Sequence, residues 1–268
     1  MSAAFVERSL PDLFEEVRSI TNGDLVFMNP SRTMIAGLVE WGVRLEDNPH
    51  VQLLAEEWTL KYTLRQCPVA SRSAHLIEAE RLDLRYVSDP PKTAVITDGE
   101  HSIALIEAGQ HMGALVTTEQ PFVGDLHQRY LDMFAQAEGI TIHTPPISVI
   151  VETLAEHLGD DRREDFEAFI DAVDGTSASL DEVMIALLIA AKNHDLLYDI
   201  SKWGEDIGLA SKATFSRKKS ELEDAGLIDT DKEYIDVGRP RLRLKFTDDR
   251  LDGASIDTIV DQVTDALS

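Results

Sequence analysis

A chain of 268 residues, 43% of them apolar, has the length and composition for one large folded domain or two ordinary ones, which excludes wholesale disorder. Its 49 acidic and 25 basic residues give a net charge of −24 that is spread along the chain, which excludes an acidic tail as its source. Cys67 is the single cysteine, no apolar run is long enough for a bilayer and no basic-then-apolar leader opens the chain, so the expectation is a cytoplasmic protein without disulfides or a membrane partner.

In chain order, residues 9–20 predict a helix, with Ser9 as cap, Pro11 in the first turn and Leu10, Leu13, Phe14 and Val17 at helical spacing. Residues 25–28 read as a buried strand, 32–43 as a helix, 51–54 as a short strand, 56–65 and 71–80 as helices, and 82–87 as a strand. This alternation predicts an α/β layer with a largely parallel sheet. Three closely spaced strands follow at 94–97, 103–106 and 113–117, the first two joined by the hairpin signal Asp98-Gly99, before a helix over 123–138. His143-Thr144-Pro145-Pro146 marks a boundary, and two amphipathic helices, 147–158 and 163–173, read as a connector. Ser179 and Glu182 predict a capping box opening a helix over 180–194. In the last fifteen residues Ile256, Ile259, Val260, Val263 and Leu267 form an apolar helical stripe, which needs a covering surface; a second subunit is the favoured one over the same domain.

The most specific stretch is 199–246. A short helical pattern ends at Gly208-Leu209-Ala210, Ser211 caps a second helix running to Ala225, and Gly226 stops it. Two strand-like runs follow, 227–229 and 242–246, joined through Gly238-Arg239-Pro240-Arg241. Helix, tight turn, helix and hairpin make a winged helix-turn-helix. In so acidic a chain, Lys212, Arg217, Lys218 and Lys219 form one run without an acid, and Arg239, Arg241, Arg243 and Lys245 form another. Such islands on the second helix and its wing predict double-stranded DNA as partner.

With Phe215 at the centre of the buried face, Ala213, Ser216, Arg217 and Ser220 face outward with Lys212 at their edge. Arg217 suits a bidentate guanine contact, Ser216 a base edge or a phosphate, and Ala213 a thymine methyl. Lys212, Lys218 and Lys219 fall at or beyond the rim, toward phosphate, with the Lys219 stem packed and its ammonium snorkelled. Trp203 and Ile207 read as core. Arg241, Arg243 and Lys245 share one face of the wing by period two, and Arg239 at the tip suits a narrow minor groove or a phosphate.

The strand and helix order of the first 140 residues is similar to the phospholipase-D-like effector domain of TrmB-type archaeal regulators. Residues 200–228 resemble the winged helices of archaeal and bacterial repressors. With the DNA-binding domain last rather than first, and with 27 Asp against 9 Lys, the whole resembles the TbsP-like haloarchaeal transcriptional regulators. With the boundaries read from the residues, the expected organisation is an amino-terminal α/β sandwich-like domain (1–145), a helical connector (146–178), an α+β winged helix (179–250) and a dimerising terminal helix (251–268). The resemblance implies a homodimeric regulator of metabolic genes of sugar and central carbon chemistry, responsive to a small-molecule effector that is a sugar or sugar derivative, in a potassium-rich cytoplasm.

Phospholipase-D catalysis needs a His with a Lys two positions later and an Asp beyond; His101 is followed by Ile103 and Ala108, and His111 by Gly113. No phosphate loop, metal-type spacing or nucleophile elbow is present, so no enzyme, metal or cofactor is expected. The competing reading is a winged-helix adaptor or architectural protein that contacts protein instead of a specific operator.

Overall fold

The computed structural model describes residues 3–45, 49–65, 69–109, 111–173, 180–234 and 240–267. The chain separates into two compact units, Met1–Arg65 with Arg72–Ile142, and Gln66–Ser71 with His143–Ser268. No helix among the described residues is long and apolar enough to cross a membrane.

The first unit runs β1 (Ala3–Glu7), α1 (Leu10–Ile20), β2 (Leu25–Met28), α2 (Arg32–Val43), β3 (Val51–Glu56), α3 (Glu57–Thr63), α4 (Val69–Glu78), β4 (Leu82–Val87), β5 (Ala94–Thr97), β6 (Ser102–Ala108), β7 (His111–Thr117), α5 (Phe122–Gln136) and β8 (Glu138–Gly139). Its strands form one sheet in the order β1-β7-β6-β5-β2-β3-β4-β8. Only β2 with β3 and β3 with β4 pair in parallel, which corrects the expectation of a largely parallel sheet. Helices separate the strands that run in parallel, whereas short turns join β5 to β6 and β6 to β7 and dictate antiparallel pairing.

Two strands have no counterpart in the sequence reading. In β1, Phe5 and the 65%-exposed Val6 are both apolar, so the period-two signal is hidden; the strand exists through its ladder with β7. β8 is two residues long and is defined only by its partner β4.

Strand β2 is buried on both faces. Val26 and Met28 join Leu54 and Val95 beneath Tyr130 and Phe134 of α5. On the other face Phe27 meets Phe14 of α1 edge-on at 6.1 Å, and Phe14 meets Trp41 of α2 at 5.7 Å. Helices on both sides of a sheet are the α/β sandwich expected. At the β5–β6 turn, Asp98 accepts from the amides of Asn22, Glu100 and His101 and lies 3.0 Å from the His101 ring. Burial alone would raise the carboxyl's pKa, but the amides of Asn22 and His101 together with the ring outweigh it and hold it below the usual range. His101 thus serves the turn.

The second unit contains α6 (Ile147–Leu158), α7 (Asp160–Val173), α8 (Glu182–Lys192), α9 (Leu197–Asp206), α10 (Lys212–Asp224), β9 (Ile228–Glu233), β10 (Arg241–Phe246) and α11 (Ile256–Leu267). The cap of α8 is Asp181, whose side chain accepts from the Met184 amide; Ser179 of the expected capping box lies outside the described residues. Helix α8 is buried nearly all round, as a helix without a polar face must be.

Expected to be a connector, α6 and α7 instead belong to the core around α8. Ile150, Leu154, Phe166, Phe169 and Ile170 share one cluster with Leu187, Trp203, Phe215 and Leu244. The Trp203 indole N–H donates to the Thr153 hydroxyl of α6 at 3.1 Å, and Arg162 of α7 makes a two-pronged pair with Asp195 at 3.0 and 2.7 Å. The terminal stripe is likewise internal. Ile259, Val260 and Val263 are buried in the same cluster, where α11 packs on α7, so the surface expected to serve a second subunit is covered within the unit.

Candidate nucleic-acid interface

The helix-turn-helix is α9, a turn and α10. Gly208 at φ 77° makes the turn, Leu209 N donates to Gly204 O at 2.8 Å, and Ser211 caps α10 by accepting from Thr214 N. The two helices cross closely at Gly204, where an added Cβ would stand 2.4 Å from the Phe215 ring. Gly204→Ala is therefore expected to destabilise the second unit by about 1–3 kcal/mol, the usual cost of overpacking a filled core. A melt unchanged from wild type would show that the helices slide apart freely.

Phe215 and Leu222 anchor α10 in the core. Ala213, Ser216, Arg217 and Ser220 are exposed along the opposite side, and Lys212 is exposed at their edge. The structure therefore brings the outward set onto one face. Among the described residues, Arg217 makes no ion pair. At the wing, β9 and β10 pair antiparallel from Arg241↔Glu233 to Phe246↔Ile228, and a single isolated bridge joins Leu196 to Arg243. Leu244 and Phe246 are buried while Arg241, Arg243 and Lys245 share the other side. Gly238 and Arg239 of the tip lie outside the described residues.

The cations that read as acid-free in sequence are not acid-free in space. Lys212 lies 3.1 Å from Glu205, Lys218 lies 2.9 Å from Asp181 and 3.2 Å from Glu221, and Lys219 pairs with Glu223. Arg241 lies 3.7 Å from Asp199, Arg243 pairs with Glu233 and with the His194 carbonyl, and Lys245 lies 2.9 Å from Asp231. Burial pulls the Lys218 pKa down most strongly, yet Asp181 and Glu221 together leave it above the usual lysine value. The Lys219 side chain is only 11% exposed, with its stem packed as expected and its charge matched by a glutamate. Among the described residues of the two islands, the cations are held in internal pairs around Arg217, which has none.

Two aromatic residues belong to this surface that the sequence reading leaves out. Tyr198 carries the Arg241 guanidinium over its ring at 4.3 Å and the Lys212 ammonium at 5.5 Å, tying the wing root to the start of α10. Its signal is positional, because it sits one residue off the apolar stripe of Leu197, Ile200 and Gly204. Tyr234 follows β9 and is 80% exposed.

No curated protein matches the chain. Among solved structures, TrmBL2, described as an archaeal chromatin protein with a novel mode of DNA binding, is 11% identical and covers 51% of this chain and 54% of its own, at TM-score 0.37. Nuc from Salmonella typhimurium, a phospholipase D family member, is 14% identical over 52% of this chain and 99% of its own at TM-score 0.38. NucT from Helicobacter pylori is 10% identical over 52% and 99% at 0.36. Likenesses this low bear no weight. Family sequence models are another matter: the TbsP-like regulator amino-terminal model matches residues 2–145, and the TbsP-like carboxy-terminal helix-turn-helix model matches residues 146–264. With both halves matched in order, and with a winged helix in the second, the chain belongs to the TbsP-like transcriptional regulators, DNA-binding proteins of the helix-turn-helix class.

Proposed function

We propose that the protein is a sequence-specific regulator of metabolic genes and not an enzyme, with α10 in the major groove of its operator and the wing at the adjacent minor groove. The observation that carries this is the outward face of α10, where Ala213, Ser216, Arg217 and Ser220 are exposed without a neighbouring charge pair on Arg217. Lys212, Lys218, Lys219, Arg241 and Arg243 contact phosphates after exchanging their carboxylate partners, and Arg239 reaches the minor groove or its phosphates. The protein acts as a homodimer, since one winged helix reads a half-site. The amino-terminal unit receives a small-molecule effector, and the acidic surface suits a potassium-rich cytoplasm. Chromatin immunoprecipitation across the native genome tests the reading; a palindromic motif supports it.

The neutralised wing favours a second reading, in which the winged helix docks on protein, and enrichment without any motif would support that one.

Arg217→Ala is expected to lose about 1–3 kcal/mol of discrimination at one base pair, the worth of a bidentate contact. Binding to a panel of single-base operator variants measures it. Uniform weakening without relaxed preference would make Arg217 a phosphate contact.

A further inference from the structure

Strands β1, β7 and β6 stand in that order at one edge of the first unit's sheet. One of their faces is buried through Leu105, Met112, Ala114 and Val116. On the other face the ladders set two rows side by side, Val6–Gly113–Ile106 and Ala4–Leu115–Ala104. Val6, Leu115 and Ile106 are 65%, 54% and 48% exposed. The second row continues to Val95 of β5, where Tyr130 and Phe134 of α5 lie over the sheet. Helix α5 packs over β2 and β3, so its cover stops short of the last three strands.

The two rows make a checkerboard. Large, small, large in the first stands beside small, large, small in the second. Gly113 is the informative square. It is not among the glycines at positive φ, and an added Cβ would meet only Ile106, at the ordinary contact distances of 3.7 and 3.9 Å. Glycine inside a strand weakens it and marks close approach by another group. Within one copy nothing approaches Gly113 closely enough to require it. Charge marks the ends of the rows and is absent between them. Arg8 and His111 stand at one end, Glu100 and Glu119 at the other, and all four are exposed.

From this pattern we infer that the face is the contact between two copies of the chain, stacked face to face about a two-fold axis lying across the strands. Such an axis reverses the strands and sets each row on the other row of the second copy. Val6 then meets the partner's Ala4, Leu115 the partner's Gly113 and Ile106 the partner's Ala104, so every large side chain faces a small one. The same operation lays the Arg8 end over the end that carries the partner's Glu119. A two-fold axis running along the strands fails on both counts, because it sets Leu115 on the partner's Leu115 and like charge on like. Copies with a net charge of −24 repel over most of their surface, which leaves a neutral face with a charged rim as the place to meet. Stacked sheets in β-sandwiches use the same aligned geometry.

The need for a second copy comes from the homodimer reading above, whereas the surface and its orientation come from the sheet. Sedimentation of the full-length protein over a concentration series, at the salt used for operator titrations, tests both. The expected result is a wild-type dimer whose Kd rises tenfold or more in Leu115→Glu and in Gly113→Val. Leu115 is exposed and Gly113 has room for a side chain, so both variants are expected to keep the wild-type circular dichroism spectrum. A wild-type dimer that both variants preserve overturns this contact and leaves the homodimer reading standing. Loss of the spectrum together with the dimer in both variants also overturns it, since those residues would then serve the fold. A wild type that sediments as a monomer throughout sinks the homodimer reading, and the contact with it.

Discussion

Val260→Glu combined with Val263→Glu is expected to unfold the second unit and abolish operator binding. Both valines are buried in the cluster that α11 shares with α7 and α8. Each substitution places a carboxylate in an apolar site at a cost of several kcal/mol. A domain's whole stability is about 5–15 kcal/mol, so two such charges exhaust most of it. Truncation after Gly253 acts in the same direction, because it strips α11 and its buried Ile259, Val260 and Val263 from the cluster that includes α7. Circular dichroism melts and operator titrations at native salt read the outcome. A variant that melts like the wild type and sediments as a monomer would return α11 to the subunit interface that its apolar stripe suggests.

That case shows where the sequence is legible and where it stops. Helix α10 can be read because its signals are local: Ser211 caps it, Phe215 and Leu222 fall on one side, and Gly226 ends it at φ 72°. The same holds for α2, where Ser31 caps and the predicted bounds coincide with those observed. What covers a stripe is not local. The periodicity of α11 demands a partner surface but is silent on whether that surface is α7 or another chain. Sheet direction fails for a similar reason, since the alternation of strand and helix in the first ninety residues is overruled by two turns further on. The charge islands are an intermediate case. Asp181 lies far from Lys218 along the chain, and no window of sequence joins them. Asp229, Asp231 and Glu233, by contrast, alternate along β9 as regularly as Arg241, Arg243 and Lys245 do along β10. Period two on both strands, taken together with the hairpin, would have placed acids opposite bases.

Those pairs set the expected response to salt. Eight free cations meeting eight phosphates would give a slope of log affinity against log salt of about −7, because each contact releases a counterion condensed on the DNA. Here six of the seven described island cations hold a carboxylate within 4.0 Å, Arg217 being the exception. When such a lysine or arginine turns to a phosphate, it abandons an acid that must take up a cation from solution. Release on one side is offset by uptake on the other, and the pair contributes almost nothing to the slope. The remaining acidic surface adds a repulsion that salt screens, with the screening length falling from about 10 Å at 0.1 M to about 3 Å at 1 M. The slope should therefore be far shallower than −7, and binding should persist in molar potassium chloride. Asp181→Asn, which keeps a good helix cap, with Glu221→Gln should free Lys218, and Asp229→Asn, Asp231→Asn and Glu233→Gln should free Lys245 and Arg243. That variant is expected to bind more tightly at low salt and to show a slope steeper by about 2–3 units. Fluorescence anisotropy with one operator fragment across a potassium chloride series, with folding checked at each point, measures both. A wild-type slope near −7, with binding gone well below molar salt, would mean that the internal pairs dissolve before DNA arrives and that the acidic surface exerts no opposing field.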